Sequence, residues 1–343
     1  MRIDKEFEVD HNHNSEDLIS WLLAGDPAIR FQVMRDLLSE APENMEEERE
    51  KITLLGWGKR YLSYQDSNGL WAGGIYGPKW ISTTYTMLTL KRLGLPSYNQ
   101  QAQEGCRQLL DRGFFRDLGI NYSKSQQQSE VCITGMVLSV LAHFKFPDPR
   151  VHKLADHLLS RQMQDGGWNC QDHQGDRHSS FHTTISVLEG LLEYQRAYGQ
   201  IRPDIESARL KGHEFLLQHR LYKSDHTGAI VSERMLRMPF PPRWFYDFLR
   251  ALDYFQDYFT WQAQSEIQFP DRQSEQLAAT HIRDERFSDA IELLKNKRKP
   301  DGRWRMMRGP SGKVYFDMEK AGGPSRWNTL RALRVLKWWE GVN

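Results

Sequence analysis

Residue types that bind zinc gather in one stretch of this chain. SEVCITG carries Glu130 and Cys132, Cys170 directly follows Trp168, and SFHTTIS carries His182. Zinc accepts carboxylate, thiolate and imidazole donors, and a catalytic zinc keeps one position open. Cys170 is either a further ligand, which would close the site and make it structural, or a substitute for Glu130. His173 and His178 lie on the same loop and are further candidates. A cysteine on an apolar helix also serves simply as a small hydrophobe, and a buried histidine as a hydrogen-bonded core residue. The sequence leaves these readings open.

A second set of residues suggests acid and anion chemistry. Asp247, in WFYDFLRALDYF, reads as one turn into an apolar helix. If it faced a cavity it would be a candidate catalytic acid or base, because burial keeps a carboxyl protonated; an outward-facing Asp247 fits the sequence equally. Basic residues recur before the apolar helices, at Lys79, Lys124, Arg177, Arg243 and Arg326. Helix N-termini attract anions, so a ring of them with added cations would suit a diphosphate. Trp80, Tyr85, Phe181, Trp244, Phe245, Tyr246 and Trp327 could line a hydrophobic cavity or simply fill a core.

These residues need elements to position them, and the sequence supplies a repeated one. Five Gly-containing turns, NGLW to Trp71, LGIN near Ile120, DGGW to Trp168, TGAI near Ile230 and DGRW to Trp304, recur along the chain. An amphipathic stretch such as LADHLLSRQM precedes each, with apolar residues at helical spacing. A more apolar helix follows: STTYTMLTLKRL, CITGMVLSVLAHF, HTTISVLEGLLEY, WFYDFLRALDYF and WNTLRALRVLKWW. The first three align without a gap, Ser82 with Cys132 and His182, and Leu88 with Leu138 and Leu188. A sixth pair, SEDLISWLL and PAIRFQVMRDLL, is expected at the N-terminus, with Pro27 in a first helical turn. Strand patterning is nearly absent. The expectation is a single all-α domain over 1–343, an N-terminal helical pair in 1–50 followed by five helix pairs in 51–343. Apolar second helices forming an inner ring would close it into an α/α toroid; an open solenoid is the alternative.

QDSNGLW and QMQDGGW resemble the QW repeats of squalene–hopene cyclases and related terpenoid cyclases, and PDGRW is a partial match. The resemblance covers about residues 50–343 and implies the α/α toroid shared with protein prenyltransferase β subunits. The cyclases protonate their substrates with a D-x-D-D motif, which is absent; QDHQGD and DERFSD have other spacings. In the prenyltransferases a D-x-C segment at one inner-helix start and a histidine at a later one hold a catalytic zinc. By this resemblance Glu130, Cys132 and His182 correspond to those ligands, Glu replacing Asp. Lys124 matches one of two basic residues that precede the segment there, while Gln127 and Ile133 depart from the pattern.

Composition narrows the classes. Formal net charge is +1, which does not favour nucleic acid. No run approaches the roughly 18 apolar residues of a membrane span, the N-terminus lacks a signal-peptide pattern, and three cysteines do not make a disulfide framework. The acidic run Glu43 to Glu50 reads as a solvated face or linker. The long Gly/Pro-rich segment Met307 to Trp327 reads either as a cap over the barrel mouth, with Asp317 and Glu319 near it, or as a disordered surface loop. The resulting expectation is a cytoplasmic, zinc-dependent enzyme of prenyltransferase or cyclase type, acting on an isoprenoid or other hydrophobic molecule that carries a diphosphate, with a second protein subunit as a possible partner. A non-catalytic toroid binding a hydrophobic ligand or protein, and a cyclase using Asp247 as its acid, are the competing readings.

Overall fold

The computed structural model describes residues 10–171, 175, 177–199, 202–268 and 284–341. Helices account for all the regular structure among them, and no strand is formed. The helices are α1 (Asp10–Leu23), α2 (Pro27–Val33), α3 (Pro42–Leu54), α4 (Gly56–Leu62), α5 (Thr83–Leu93), α6 (Gln100–Gly113), α7 (Val131–His143), α8 (Arg150–Ser160), α9 (Phe181–Tyr198), α10 (Pro203–Gln218), α11 (Phe248–Gln268), α12 (Ser288–Asn296) and α13 (Arg326–Glu340). None of them is long and apolar enough to cross a membrane.

The five turns share one backbone design. At each, the residue two positions before the aromatic or aliphatic anchor has positive φ: Gly69, Leu118, Gly166, Gly228 and Gly302, with φ between 67° and 92°. Glycine takes this conformation at little cost, and at Gly166 a Cβ would also sit 2.6 Å from the Lys211 carbonyl oxygen. Trp71, Trp168 and Trp304 are fully buried. Each indole N–H donates to a carbonyl ten residues earlier, on Tyr61, Leu158 and Leu294, at 2.7–2.8 Å. The backbone N–H groups of Trp71, Ile120, Trp168 and Trp304 donate to the hydroxyls of Thr83, Thr134, Thr184 and Thr329 on the following helix. Each turn thus fastens the end of one helix to the start of the next. The fourth departs from the set, for Ile230 is exposed.

The apolar helices pack on one another in chain order: α5 on α7, α7 on α9, α9 on α11, and α11 on α13. Glycine permits the closest of these approaches, because a Cβ on Gly190 of α9 would lie 2.6 Å from the Gly135 carbonyl oxygen of α7. α13 returns to α2, where Arg334 donates to Asp36 at 2.9 Å and Gln32 at 3.2 Å. Gln32 in turn donates to the Arg92 carbonyl at the end of α5. Asp26 starts α2 by accepting from the Ala28 N–H at 2.9 Å, with Pro27 in the first turn.

Two local expectations change. Of the two readings of the acidic run the solvated face holds and the linker does not: it lies in α3 with Glu43, Glu46 and Glu47 exposed, while Glu48 is buried against Arg30 at 2.6 Å. The fourth apolar helix starts late, at Phe248. Asp247 therefore precedes the helix rather than lying a turn inside it, and its Oδ1 accepts the Arg250 N–H at 2.8 Å. The side chain caps the helix, which explains why an acid stands there.

Candidate functional site

The N-terminal ends of the apolar helices converge on a packed layer of aromatic rings and thiols. Cys132 and His182 occupy the second positions of α7 and α9, as their shared register requires. Cys170 lies on the turn feeding α9, and its sulfur is 3.2 Å from the Thr183 hydroxyl. The Cys132 and Cys170 thiols hydrogen-bond to each other. The bond to Cys132 lowers Cys170 to about 6, while the same bond and burial push Cys132 well up.

His182 is differently engaged. Its Nδ1 accepts the Tyr246 backbone N–H at 2.7 Å, and its ring meets Trp244 and Phe245 edge-on, with centroids 5.1 and 5.8 Å away. Burial lowers its pKa to about 4, with Arg250 adding to the effect. A neutral imidazole that accepts at Nδ1 carries its proton on Nε2, so neither nitrogen offers a lone pair to a metal. Among the described residues no three His, Cys, Asp or Glu side chains are grouped to hold a metal ion. The geometry brings Cys132 and Cys170 together, and it does not fit the zinc set of Glu130, Cys132 and His182. His178 is exposed; His173 lies outside the described residues.

The expected rim cations are scattered. Lys79, Lys124 and Arg177 are exposed. Arg326 donates to the Trp21 carbonyl at 2.9 Å and lies over that indole. Arg243 is buried, reaching Thr89 at 3.4 Å and lying 5.9 Å from the Trp80 ring centre. Trp80, Trp244 and Tyr246 all stand before their helices rather than in them. Trp80 is edge-on to Tyr85 at 4.8 Å, and Tyr246 donates to the Leu221 carbonyl at 2.6 Å. The Met307–Trp327 segment covers this layer: the Trp80 and Lys313 amides exchange hydrogen bonds with the Lys313 and Lys79 carbonyls, and the Trp80 indole donates to Ser311 at 2.9 Å. Glu319 does not face a mouth; it accepts from Ser325 and from the Arg326 N–H at the start of α13.

Toward the C-terminal ends of the same helices the character reverses. A cavity of about 970 Å³ is bounded by α2, α5, α7, α9, α11 and α13. Nine arginine or lysine side chains line it against five carboxylates, together with seven aromatic residues that include Phe240, Trp261 and Trp327. Of the residues expected to bind substrate, Trp327 alone lines it. Arg250 grips Glu189 through two hydrogen bonds of 2.8 Å, and Arg92 joins from 3.1 Å. Arg334 grips Asp253 through two bonds of 2.6 Å. Burial opposes ionisation of Glu189, but Arg250 and Arg92 outweigh it and hold its carboxyl well below the usual range. Asp36 is lowered in the same way by Arg35 and Arg334. The nine cations still outnumber the five carboxylates.

Two residues of the cavity lining, and Asp247 just outside it, hold unused hydrogen-bonding capacity. Arg331 pairs with Asp253 at 3.2 Å through Nε, while its buried Nη1 has no hydrogen-bond partner among the described residues. The same holds for the buried Trp327 indole N–H and for Oδ2 of Asp247. Burial raises Asp247 to about 6, against the pull of Arg331 and Arg250. A partly protonated carboxyl beside a guanidinium is an arrangement that can hold or transfer a proton.

Sequence reasoning missed the residues of this cavity, though a signal existed. Arg250, Asp253 and Asp257 on α11, Glu189, Glu193 and Arg196 on α9, and Arg331 and Arg334 on α13 fall at i, i+3, i+4 and i+7 spacings along otherwise apolar helices. Charges so placed on an inner helix mark a shared polar stripe. No protein-family model matches this chain, and no curated protein matches it in sequence.

Proposed function

We propose that this chain is an α/α toroid of the prenyltransferase and terpenoid cyclase type that binds an amphiphilic anion, such as an isoprenoid diphosphate, in its central cavity. The observation that carries this reading is the cavity wall, where cations outnumber carboxylates and aromatic rings stand among them. A diphosphate would sit against the arginines, and the rings would take an apolar chain. The cyclic order of helix contacts, with α13 against α2, supports the toroid. The repeated turns support the resemblance to the cyclases. No step in this reading passes through zinc. Asp247, buried beside Arg250 and Arg331 but outside the cavity lining, is the candidate acid of the competing cyclase reading.

Calorimetric titration of the full chain with farnesyl diphosphate, farnesol and inorganic pyrophosphate tests the reading. Farnesyl diphosphate is expected to bind more tightly than either of the others, and Arg331→Met to weaken it at least tenfold, about 1.4 kcal/mol. Equal binding of farnesol would remove the anion from the reading. Equal binding of pyrophosphate would remove the isoprenoid and favour a receptor for small anions. Tight binding without turnover would favour the non-catalytic alternative.

A further inference from the structure

None of the three cysteines lines the proposed cavity, and two of them, Cys132 and Cys170, stand together. They come from different elements, the first turn of α7 and the turn that precedes α9. Their thiols are in hydrogen-bond contact, and neither residue is fully buried. The Thr183 hydroxyl, 3.2 Å from the Cys170 sulfur, is placed to donate to it. Cys106, the third cysteine, is fully buried in α6. α7 packs against α9, which brings together two half-buried cysteines, one of them supported by a hydroxyl; they form a dithiol rather than a pair of fully buried core residues.

We propose that Cys132 and Cys170 form a redox-active dithiol that a peroxide converts to a disulfide. The Cys170 sulfur attacks one oxygen of hydrogen peroxide and the O–O bond breaks. The sulfur becomes a sulfenic acid, and the second oxygen leaves as water with the thiol proton. The Cys132 sulfur then attacks Cys170, the S–O bond breaks, and the hydroxyl departs as water with the Cys132 proton. Two thiols are oxidised and one peroxide is reduced to two waters. The bond would staple the α9-side turn to the start of α7, and a dithiol reductant would reverse it. His182, beside Cys132 in register but bonded to Tyr246, takes no part.

The test is oxidation of the full-length protein with dilute hydrogen peroxide, followed by intact-mass and peptide analysis without reductant. The expected result is a loss of two hydrogens per chain and a single peptide pair linking Cys132 to Cys170. Free thiols counted in denaturant should fall from the three present to one, and dithiothreitol should restore them. Cys106→Ser should leave the link intact, while Cys132→Ser and Cys170→Ser should each abolish it. Phenylarsine oxide, which bridges two neighbouring thiols, should bind the unmodified protein once per chain, a measurement that requires no variant to fold. Oxygen addition at Cys170 without a link, a link between two chains, or no arsenical binding would each overturn the proposal.

Discussion

The two ends of the apolar helices solve opposite problems with the same framework. At their N-terminal ends, Trp80, Tyr85, Trp244 and Phe245 pack ring against ring under the Met307–Trp327 segment. At their C-terminal ends, arginines and carboxylates from α2, α5, α9, α11 and α13 surround open volume. The first end gains stability from burial, which is insensitive to salt. The second holds charges whose desolvation is offset only while each keeps its partner. Stability is therefore concentrated at one end and binding capacity at the other, an arrangement in which the site does not have to be part of the best-packed region.

The largest test of this contrast is Glu189→Ala. It would leave Arg250 and Arg92 facing each other without their shared carboxylate, and a loss of about 3–5 kcal/mol is expected for breaking such a pair. Trp80→Ala at the other end should cost a similar amount, about 3–5 kcal/mol, through lost burial. The discriminating measurement is denaturation at low and high salt. Added salt should recover part of the Glu189→Ala loss and leave the Trp80→Ala loss unchanged; equal responses would remove the distinction.

Asp247 stands on the border of the two regions and gives the next effect. Its folded pKa, about 6, exceeds the reference value of 3.8. The folded state therefore binds more protons than the unfolded state between those values, and stability falls as pH rises through them. The span corresponds to a loss on the order of 3 kcal/mol. Asp247→Asn keeps an oxygen for the Arg250 N–H and removes the titration. Unfolding measured from pH 4 to pH 7 should lose this downward component in the variant. An unchanged slope would show that another group produces it.

The smallest effect lies in neither region. Leu118 holds φ 69° where four sister turns have glycine. Leu118→Gly should stabilise the protein by up to about 1 kcal/mol, because the left-handed conformation penalises a side chain. A loss of stability on chemical denaturation would mean that the exposed leucine contributes more by contact than it costs in backbone strain.

The fold was largely legible because its signals are local. A glycine two residues before a tryptophan fixes a backbone angle, and the threonine on the next helix answers the turn amide, so each turn can be read from about fifteen residues. Leu118 and Ile230 show how far the pattern bends before it stops being recognisable. The site was less legible because it is assembled from several helices far apart in sequence. Arg92 looks like an ordinary basic residue in a helix's last turn and Arg331 like a solvated one within a helix, and only the folded chain places them around one space. The metal expectation meets a related limit. Register put Cys132 and His182 at equivalent positions, but equivalence in sequence does not fix where a ring nitrogen points, and the Tyr246 amide claims Nδ1 of His182.

Arg334 reaches Asp36 and Gln32 across separations of 298 and 302 residues. Contacts of such length require that almost the whole chain be in place before they form, and non-local closure slows folding. During synthesis the earlier helix pairs can stack on their neighbours, yet Gln32 of α2 and Asp36 in the turn that follows it must wait until α13 leaves the ribosome. The cavity is therefore the last part of the molecule to exist. An incompletely made chain would expose the inner faces of its helices, and quality control could distinguish it from the finished protein by that alone.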